Sequence, residues 1–402
     1  MDTKEITIEQ KKKIVEFFGV VNTSFGFCVL LNYCQRILYP KTVYQISQFE
    51  LRTLAHPDSK KRYKTFTIRK KNGGTRTIHA PKPELKMVLR CINLILQCVY
   101  TVHENANGFV EGKSVVDNAK LHCNNNYIFN IDLKDFFPSI EIGRVLNRLS
   151  YPPFNFKKEK GTEEIGNYIA WLACENTLVE RELDGNIIKT VKRVLPQGSP
   201  TSPILSNIIC ERLDRRLTGL ANRFGLRYSR YADDVTFSSM HNVYQKDGEF
   251  RKEMERIISE QYFTINQSKV RLQKSIMRQE VTGITVNKQV NVSQKYIKQL
   301  RMWLYYWESY GTVKGLSLFL QSYIKDKSHV KKVVPTPEFM EAVIGGKLNY
   351  LSMVKGTENS TYLKLKERFD KLSSNYVDID NILSVWEENG IDEAINLYSK
   401  TV

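Results

Sequence analysis

The sequence lacks several features that mark large classes of protein. No apolar stretch approaches the roughly 20 residues that a membrane-spanning helix needs, and the first residues, MDTKEITIEQKKK, contain no apolar signal-peptide core. There is no repeat at a fixed period and no low-complexity segment. These absences predict a globular, cytoplasmic protein without a membrane partner.

Paired cysteines are also missing. The seven cysteines are an odd number, and none lies in a Cys-x-x-Cys pair. Several lie in apolar, helix-like surroundings, such as Cys91 and Cys98 in LRCINLILQCVY. We therefore expect reduced, buried thiols.

Negative charge is scarce relative to positive charge. Lysine and arginine total 60 against 43 acidic residues, a formal net charge of +17. Such an excess favours a polyanionic partner, either a nucleic acid or an anionic membrane, although a generically basic protein is the alternative. Residues 376–402 hold six acidic residues and one basic residue, a net −5, which leaves +22 on the rest. We do not expect this acidic tail to lie along phosphates.

The length of 402 residues predicts two or three packed subdomains. Residues 8–37 have helical spacing, and KTFTIRKKNGGTRTIHAPK has the alternation and Asn-Gly-Gly turn of a basic β-hairpin. A helix follows it, and KSVVDNAKLH opens another, with Ser114 and Asp117 spaced as a capping box. From Ser293 onward the pattern is helical, and one face of the predicted helix is apolar, with Ile297, Leu300, Leu304 and Trp307.

Three segments place carboxylates or glycine at the ends of regular elements. NYIFNIDLKDFF alternates as a strand that ends at Asp132. LPQGSPTSPILS is a loop leading into a long helix, with Ser202 as the expected N-cap. LRYSRYADDVTFSS predicts two strands joined by a turn that carries Asp233 and Asp234.

Adjacent carboxylates such as Asp233 and Asp234 repel one another, so together in a crowded site they require a cation. An isolated Asp-Asp pair usually marks a turn, but Asp132 at the end of another strand offers a third ligand. Three carboxylates and two divalent ions form the usual device for in-line nucleotidyl transfer. Mg²⁺ suits such a site because it takes hard oxygen ligands and keeps substrate phosphates in its shell.

These motifs together resemble the palm of a reverse transcriptase. RYADD resembles the Y-x-D-D box, IDLKDFF the first aspartate box, LPQGSPTSP the P-Q-G loop, and TIRKKNGGTRTIHAP the fingers hairpin. The match covers about residues 62–290. DNAKLH and VTG further resemble two short hallmarks of bacterial retron reverse transcriptases, and GGKLNYLSMVKG resembles their late thumb segment.

The resemblance implies an α+β right-hand polymerase with fingers, palm and helical thumb. It places an N-terminal helical region at 1–61, fingers at 62–125 with part of 150–195, palm at 126–290, thumb at 291–375 and the acidic tail at 376–402. Asp132, Asp233 and Asp234 would hold two Mg²⁺ ions and carry catalysis.

The resemblance also implies nucleotide-binding residues. Phe137, or its neighbour Phe136, would be a steric gate against a 2′-hydroxyl, next to Asp135; the alternative is that both rings belong to the core. Gln197 and Gly198 would line the incoming nucleotide. Arg76 and Lys70 are candidates for its triphosphate, although Arg69 and Lys71 compete with Lys70. Lys269 matches a lysine suspected of protonating pyrophosphate, unless it is simply solvated.

A further set is implied to contact primer, template or structured RNA: Tyr231, Asn118, His122, Thr282, Gly283, Lys295, Lys298 and Arg301. Tyr231 could instead be a core aromatic, and we expect a structural rather than a catalytic role for His122. Lys295, Lys298 and Arg301 share one face of the predicted thumb helix, where they would follow a template–primer duplex or form an ordinary solvated face.

The function implied is that of a retron RNA-directed DNA polymerase. It would use its own structured non-coding RNA as template and primer, start from the 2′-hydroxyl of a guanosine, consume dNTPs and make branched msDNA in an anti-phage defence system. An effector protein would be a further partner, and the acidic tail is a candidate docking surface for it. The alternatives are a defence or group II intron-like reverse transcriptase that is not a retron enzyme, and an RNA-binding scaffold with an inactive palm.

Overall fold

The protein is described by a computed structural model over residues 6–42, 44–59, 62–69, 73–183, 186–326, 335–374 and 379–395. These residues form two compact units, divided between Thr282 and Gly283. The first unit combines helices with antiparallel strands, and the second is mainly helical. The α+β class is therefore confirmed, whereas the predicted domain boundaries stay a prediction.

The first unit begins with helices and a β-hairpin. Its elements in chain order are α1 (Ile8–Val20), α2 (Ser24–Leu38), α3 (Gln48–Ala55), β1 (Tyr63–Arg69), β2 (Thr75–Pro81), α4 (Pro83–Val99) and α5 (Val115–Lys120). The helical character expected over residues 8–37 is present as two helices, because Thr23 caps the second one by accepting from the backbone N–H of Gly26. The capping box of Ser114 and Asp117 is confirmed.

The rest of the first unit contains the central sheet and the helices that pack on it. Its elements are β3 (Tyr127–Asp132), α6 (Ile142–Leu149), α7 (Glu163–Ala173), β4 (Glu175–Leu183), β5 (Asn186–Val194), α8 (Ser202–Arg223), β6 (Arg227–Tyr231), β7 (Asp234–Ser239), α9 (Glu249–Glu260), β8 (Arg271–Lys274) and β9 (Glu280–Val281). The expected N-cap at Ser202 is off by one residue. Thr201 is the cap, and the Ser202 hydroxyl instead donates to the Pro196 carbonyl at 2.7 Å.

The central sheet has four antiparallel strands in the order β6-β7-β3-β8. Every residue of β3 after Tyr127 is buried, so this strand is covered on both faces rather than on one. On its apolar side Phe129 lies 5.2 Å from Tyr244, and α9 adds Phe250, 5.1 Å from Phe237 (ring centroids). This aromatic cluster fixes the sheet from which the aspartates project.

The second unit follows from Gly283. It contains β10 (Ile284–Thr285), α10 (Gln294–Asp326), α11 (Pro337–Lys355), α12 (Ser360–Ser374) and α13 (Ile379–Asn389). The helix α10 is interrupted at Gly311, whose φ of 68° is left-handed. Of the predicted apolar face of α10, Leu300, Leu304 and Trp307 are buried and Ile297 is partly buried. None of the helices in the described part of the chain combines the length and the apolar character that crossing a bilayer requires.

Asn118 and His122 lie in the core, which agrees with the structural role expected of His122 and corrects the prediction that the two side chains contact RNA. The His122 ring is fully buried, with Nδ1 2.8 Å from Ser238 Oγ and Nε2 2.7 Å from Ser229 Oγ. The Ser229 hydroxyl also donates to Asn118 Oδ1 at 2.7 Å. These bonds attach α5 to β6 and β7, so both side chains hold the sheet and are not available to RNA.

Burial lowers the pKa of His122 to about 3, with a further lowering from the charge of Arg227. The folded protein therefore keeps His122 neutral, whereas the unfolded chain takes up a proton below about pH 6.5. Stability is consequently lost as pH falls. We expect protonation of His122 in the unfolded chain to lower the free energy of unfolding by about 2 kcal/mol between pH 6.5 and pH 5.

Urea unfolding at several pH values tests this expectation. The His122→Gln variant should lose less stability on acidification than the parent protein, even though it is less stable at pH 7. The matched control is His56→Gln, at a side chain that is 66% exposed, and its slope should equal that of the parent. An unchanged slope in His122→Gln would contradict a neutral buried imidazole.

Candidate active site

The sheet brings the three predicted aspartates together at one edge. In the antiparallel register of β3 and β7, Asp132 lies directly opposite Asp234. The β6–β7 turn consists of Ala232 and Asp233, and the backbone N–H of Leu133 donates to the Asp233 carbonyl at 3.0 Å. Residues about a hundred positions apart in the chain thus form one acidic group.

Burial and like charges raise the pKa values of two carboxylates in this group. Removal of water by the surrounding protein is the main cause that raises the pKa of Asp234 to about 6, and the charges of Asp233 and Asp132 raise it further. The Asp234 side chain remains accessible to solvent, as is expected for a carboxylate in a concave site. The pKa of Asp233 is also raised, first by burial and then by Asp132, against the lowering effect of Lys269 and Arg76.

Asp132 is held by neighbours from the 266–269 turn. The Lys269 ammonium lies 2.7 Å from Asp132 Oδ2, and Asn266 Nδ2 donates to Oδ1 at 3.2 Å. The backbone N–H of Asn266 donates to the Asp132 carbonyl at 2.8 Å. Lys269 is therefore placed at the acidic group, which agrees with its expected position, whereas the role suggested for it stays a prediction.

The acidic group fits divalent cations only in part. Among the described residues, no three His, Cys, Asp or Glu side chains converge closely enough to enclose a metal ion by themselves. Carboxylates whose pKa values are raised by one another are nevertheless stabilised by any cation that comes between them. Mg²⁺ commonly takes one or two carboxylates and completes its shell with water and substrate phosphates. Asp132, Asp233 and Asp234 suit such an incomplete site.

A buried ion pair between Arg230 and Asp214 holds the β6–β7 turn in place. The Arg230 guanidinium donates to both oxygens of Asp214, at 2.7 and 2.6 Å, and both side chains are fully buried. Arg230 Nη1 also donates to the Ala232 carbonyl at 3.1 Å, and the φ of Ala232 is 58°. Burial opposes the charge of Arg230, but the Asp214 carboxylate outweighs it and raises the pKa of the guanidinium. The sequence analysis identified neither residue.

The two adjacent phenylalanines have different environments. Phe136 is 4% exposed and stacks on Phe263 at 5.6 Å, so it is the core residue. Phe137 is only partly buried, lies 5.3 Å from Phe136, and follows Asp135, which is exposed with a φ of 47°. Of the two rings predicted as the steric gate, Phe137 is therefore the one that remains accessible.

The P-Q-G loop packs against the basic hairpin. The Gln197 carbonyl accepts from the backbone N–H of His79 on β2 at 2.8 Å. Gly198 has a φ of 116°, and a Cβ there would lie 2.9 Å from the His79 carbonyl oxygen. Glycine is thus required by the close approach of β2 as well as by the backbone angle.

The remaining predicted residues are distributed over both units. Arg76 is exposed on β2, close enough to lower the pKa of Asp233, whereas Lys70 lies outside the described residues. Tyr231 is partly exposed beside the turn, and Thr282 and Gly283 have φ values of 47° and 85°, as in a tight turn. In the second unit Lys295, Lys298 and Arg301 are exposed on α10.

Comparison with known proteins shows to which protein family the chain belongs. The model of the reverse transcriptase (RNA-dependent DNA polymerase) family matches residues 68–297, and the chain belongs to this family. The match confirms the right-hand polymerase fold. A solved telomerase from Candida albicans aligns with 94% of this chain and 70% of its own, at 10% identity and a TM-score of 0.41, a likeness too loose to argue from.

Curated relatives define the branch of the family as that of retron reverse transcriptases. The Retron Mx65 reverse transcriptase of Myxococcus xanthus is 37% identical over 60% of this chain and 55% of its own length. Retron Mx162 reverse transcriptase of the same organism is 35% identical, over 57% and 48%. Retron Ec86 reverse transcriptase of Escherichia coli is 31% identical, over 60% and 68%. The chain spans about half the length of the first two relatives.

The repulsion within the acidic group predicts a stability effect in the absence of divalent ions. Because the pKa of Asp234 is raised on folding, its ionisation costs stability as pH rises towards and through about 6. Asp234→Asn should therefore raise the thermal midpoint at pH 8 in EDTA, and the gain should vanish at pH 4. Calorimetry measures both, with Asp247→Asn at an exposed position as control. A lower midpoint for Asp234→Asn at pH 8 would contradict the crowding of like charges.

Proposed function

We propose that this protein is an RNA-directed DNA polymerase that transfers nucleotides with the help of two Mg²⁺ ions. The observation that carries the proposal is the register of β3 and β7, which sets Asp132 opposite Asp234 beside the Asp233 turn. Membership of the reverse transcriptase family supports the choice of reaction. An inactive scaffold is disfavoured, because a vestigial site has no reason to retain three mutually repelling carboxylates.

The chain's own residues would position the reactants. Asp132, Asp233 and Asp234 would hold the ions, which supply Lewis acidity to the attacking hydroxyl and the pyrophosphate leaving group. Arg76 offers a forked donor to the triphosphate, and the Lys269 ammonium, now paired with Asp132, can turn to the departing phosphates and donate a proton. Phe137 would exclude a 2′-hydroxyl, with Asp135, Gln197 and Gly198 around the nucleotide.

Nucleic-acid contacts complete the proposal. Exposed Lys295, Lys298 and Arg301 on α10 would neutralise backbone phosphates of the template–primer, and Tyr231 would pack near the primer end. The Thr282–Gly283 turn is a candidate RNA contact. Effector binding by the acidic tail stays a prediction; of that tail, α13 carries exposed Leu383 and Trp386 next to Glu387 and Glu388.

The first test is dNTP incorporation on a primed RNA template with and without Mg²⁺. We expect activity in the parent protein and a loss of at least about a hundredfold in Asp233→Asn, since a metal ligand supports several kcal/mol of transition-state stabilisation. Asp247→Asn, at an exposed position, should retain full activity. Incorporation that survives Asp233→Asn would exclude this site, and a parent protein without activity would favour the scaffold.

The finer proposal is that the protein acts as a retron enzyme in anti-phage defence. It would copy its cognate structured RNA from the 2′-hydroxyl of a guanosine and produce branched msDNA, together with an effector protein. The relatives named as retron reverse transcriptases support this choice. Sequencing of the nucleic acid that co-purifies with the expressed protein tests it. A single branched RNA–DNA species is expected, and unbranched or heterogeneous nucleic acid would favour a non-retron reverse transcriptase.

A further inference from the structure

Phe109 is an exposed aromatic residue whose ring lies beside that of Phe137. Its ring is 40% exposed, and its centroid lies 6.1 Å from that of Phe137, with 37° between the ring planes. Its φ is 62°, in the left-handed region that a bulky side chain rarely adopts. A partly exposed ring held in an unfavourable backbone conformation indicates a position fixed by its surroundings.

The segment before Phe109 is bound to the strand that leads into the aspartate turn. The backbone N–H of Arg230 donates to the Asn105 carbonyl at 2.9 Å, and that of Asn107 donates to the Arg230 carbonyl at 2.8 Å. Ala106 and Arg230 thereby form a parallel bridge. The segment therefore cannot shift along β6 without breaking paired backbone groups.

Gly108 brings this segment into direct contact with the turn itself. A Cβ at Gly108 would lie 2.5 Å from the backbone nitrogen of Ala232, so no side chain fits between them. The Gly108 carbonyl accepts from Asn207 Nδ2 at 3.0 Å, and Asn207 Oδ1 in turn accepts from Arg230 Nη2 at 3.1 Å. The network that holds the aspartate turn thus also fixes the residue immediately before Phe109.

Two other aromatic rings lie next to the ring of Phe137. Phe136, which is buried and stacked on Phe263, lies 5.3 Å away, and Phe109 lies 6.1 Å away from a different part of the chain. A partly exposed aromatic side chain can otherwise change rotamer within nanoseconds. A steric gate discriminates only while its ring stays in place, because the difference between the competing nucleotides is a single hydroxyl group.

We propose that Phe109 is a positioning residue that holds the Phe137 ring against the incoming nucleotide and thereby sets the preference for 2′-deoxynucleotides over ribonucleotides. The inference rests on the proposed polymerase function and on Phe137 as its gate. Two aromatic residues would then select the sugar of the nucleotide: Phe137 itself, and Phe109 from the loop that precedes α5. Phe109 acts through Phe137 and needs no contact with the substrate.

Single-nucleotide incorporation of a dNTP and of the matching rNTP measures the preference as the ratio of the two kcat/KM values. Phe109→Leu keeps an apolar side chain and removes the ring, and we expect the ratio to fall by about 3–10-fold, the size implied by the loss of one aromatic pair. The fall should come from a higher rNTP kcat/KM, which a merely damaged protein cannot show. Phe109→Tyr, which keeps the ring, should restore the parent ratio.

A double-mutant cycle tests the route through Phe137. Phe137→Val removes the gate, and in that background Phe109→Leu should leave the ratio unchanged. The control Phe25→Leu, at an exposed ring of α2, should match the parent protein. A parent-like ratio in Phe109→Leu, or an equal additional loss in the Phe137→Val background, overturns the inference while leaving the polymerase proposal intact. Absence of dNTP incorporation by the parent protein overturns both.

Discussion

The buried pair of Arg230 and Asp214 is the constraint on which the site depends. Both side chains are fully buried, and the guanidinium binds the carboxylate through two hydrogen bonds while also holding the Ala232 carbonyl. Breaking such a pair leaves a charge without compensation in the interior, which typically costs about 3–5 kcal/mol. This ion pair therefore holds the turn that contains Asp233 in a fixed position relative to α8.

Because this ion pair holds the turn in place, the turn can carry carboxylates whose mutual repulsion is unfavourable. Asp132 and Asp234 face one another across paired strands, where like charges destabilise a sheet. Burial and mutual repulsion raise the pKa values of Asp233 and Asp234, and Lys269 offsets part of the repulsion through Asp132. A cation bound between these carboxylates would relieve the remaining repulsion.

Backbone hydrogen bonds position three loops of the first unit. The 105–108 segment pairs with β6, the 266–269 turn bonds to Asp132, and the P-Q-G loop bonds to β2 of the hairpin that carries Arg76. Gly108 and Gly198 mark two of these approaches, because a Cβ at either would meet a backbone atom within 3 Å. Backbone hydrogen bonds of this kind fix positions independently of the side chains that then face the substrate.

The sequence by itself determined the elements whose signals are local. The strand that ends at Asp132, the turn before Asp234, the capping box of Ser114 and the apolar face of α10 all depend on neighbours within a few residues, and the structure has each of them. The resemblance to reverse transcriptases rests on RYADD, IDLKDFF, LPQGSPTSP and TIRKKNGGTRTIHAP and on their order in the chain. Only the tertiary structure decided which of Phe136 and Phe137 is buried, that Asn118 bonds to the sheet, that Arg230 and Asp214 pair behind the turn, and that Phe109 lies beside Phe137. The reason is physical: burial and pairing are set by segments that can lie more than a hundred residues away, and no local pattern encodes where those segments will lie.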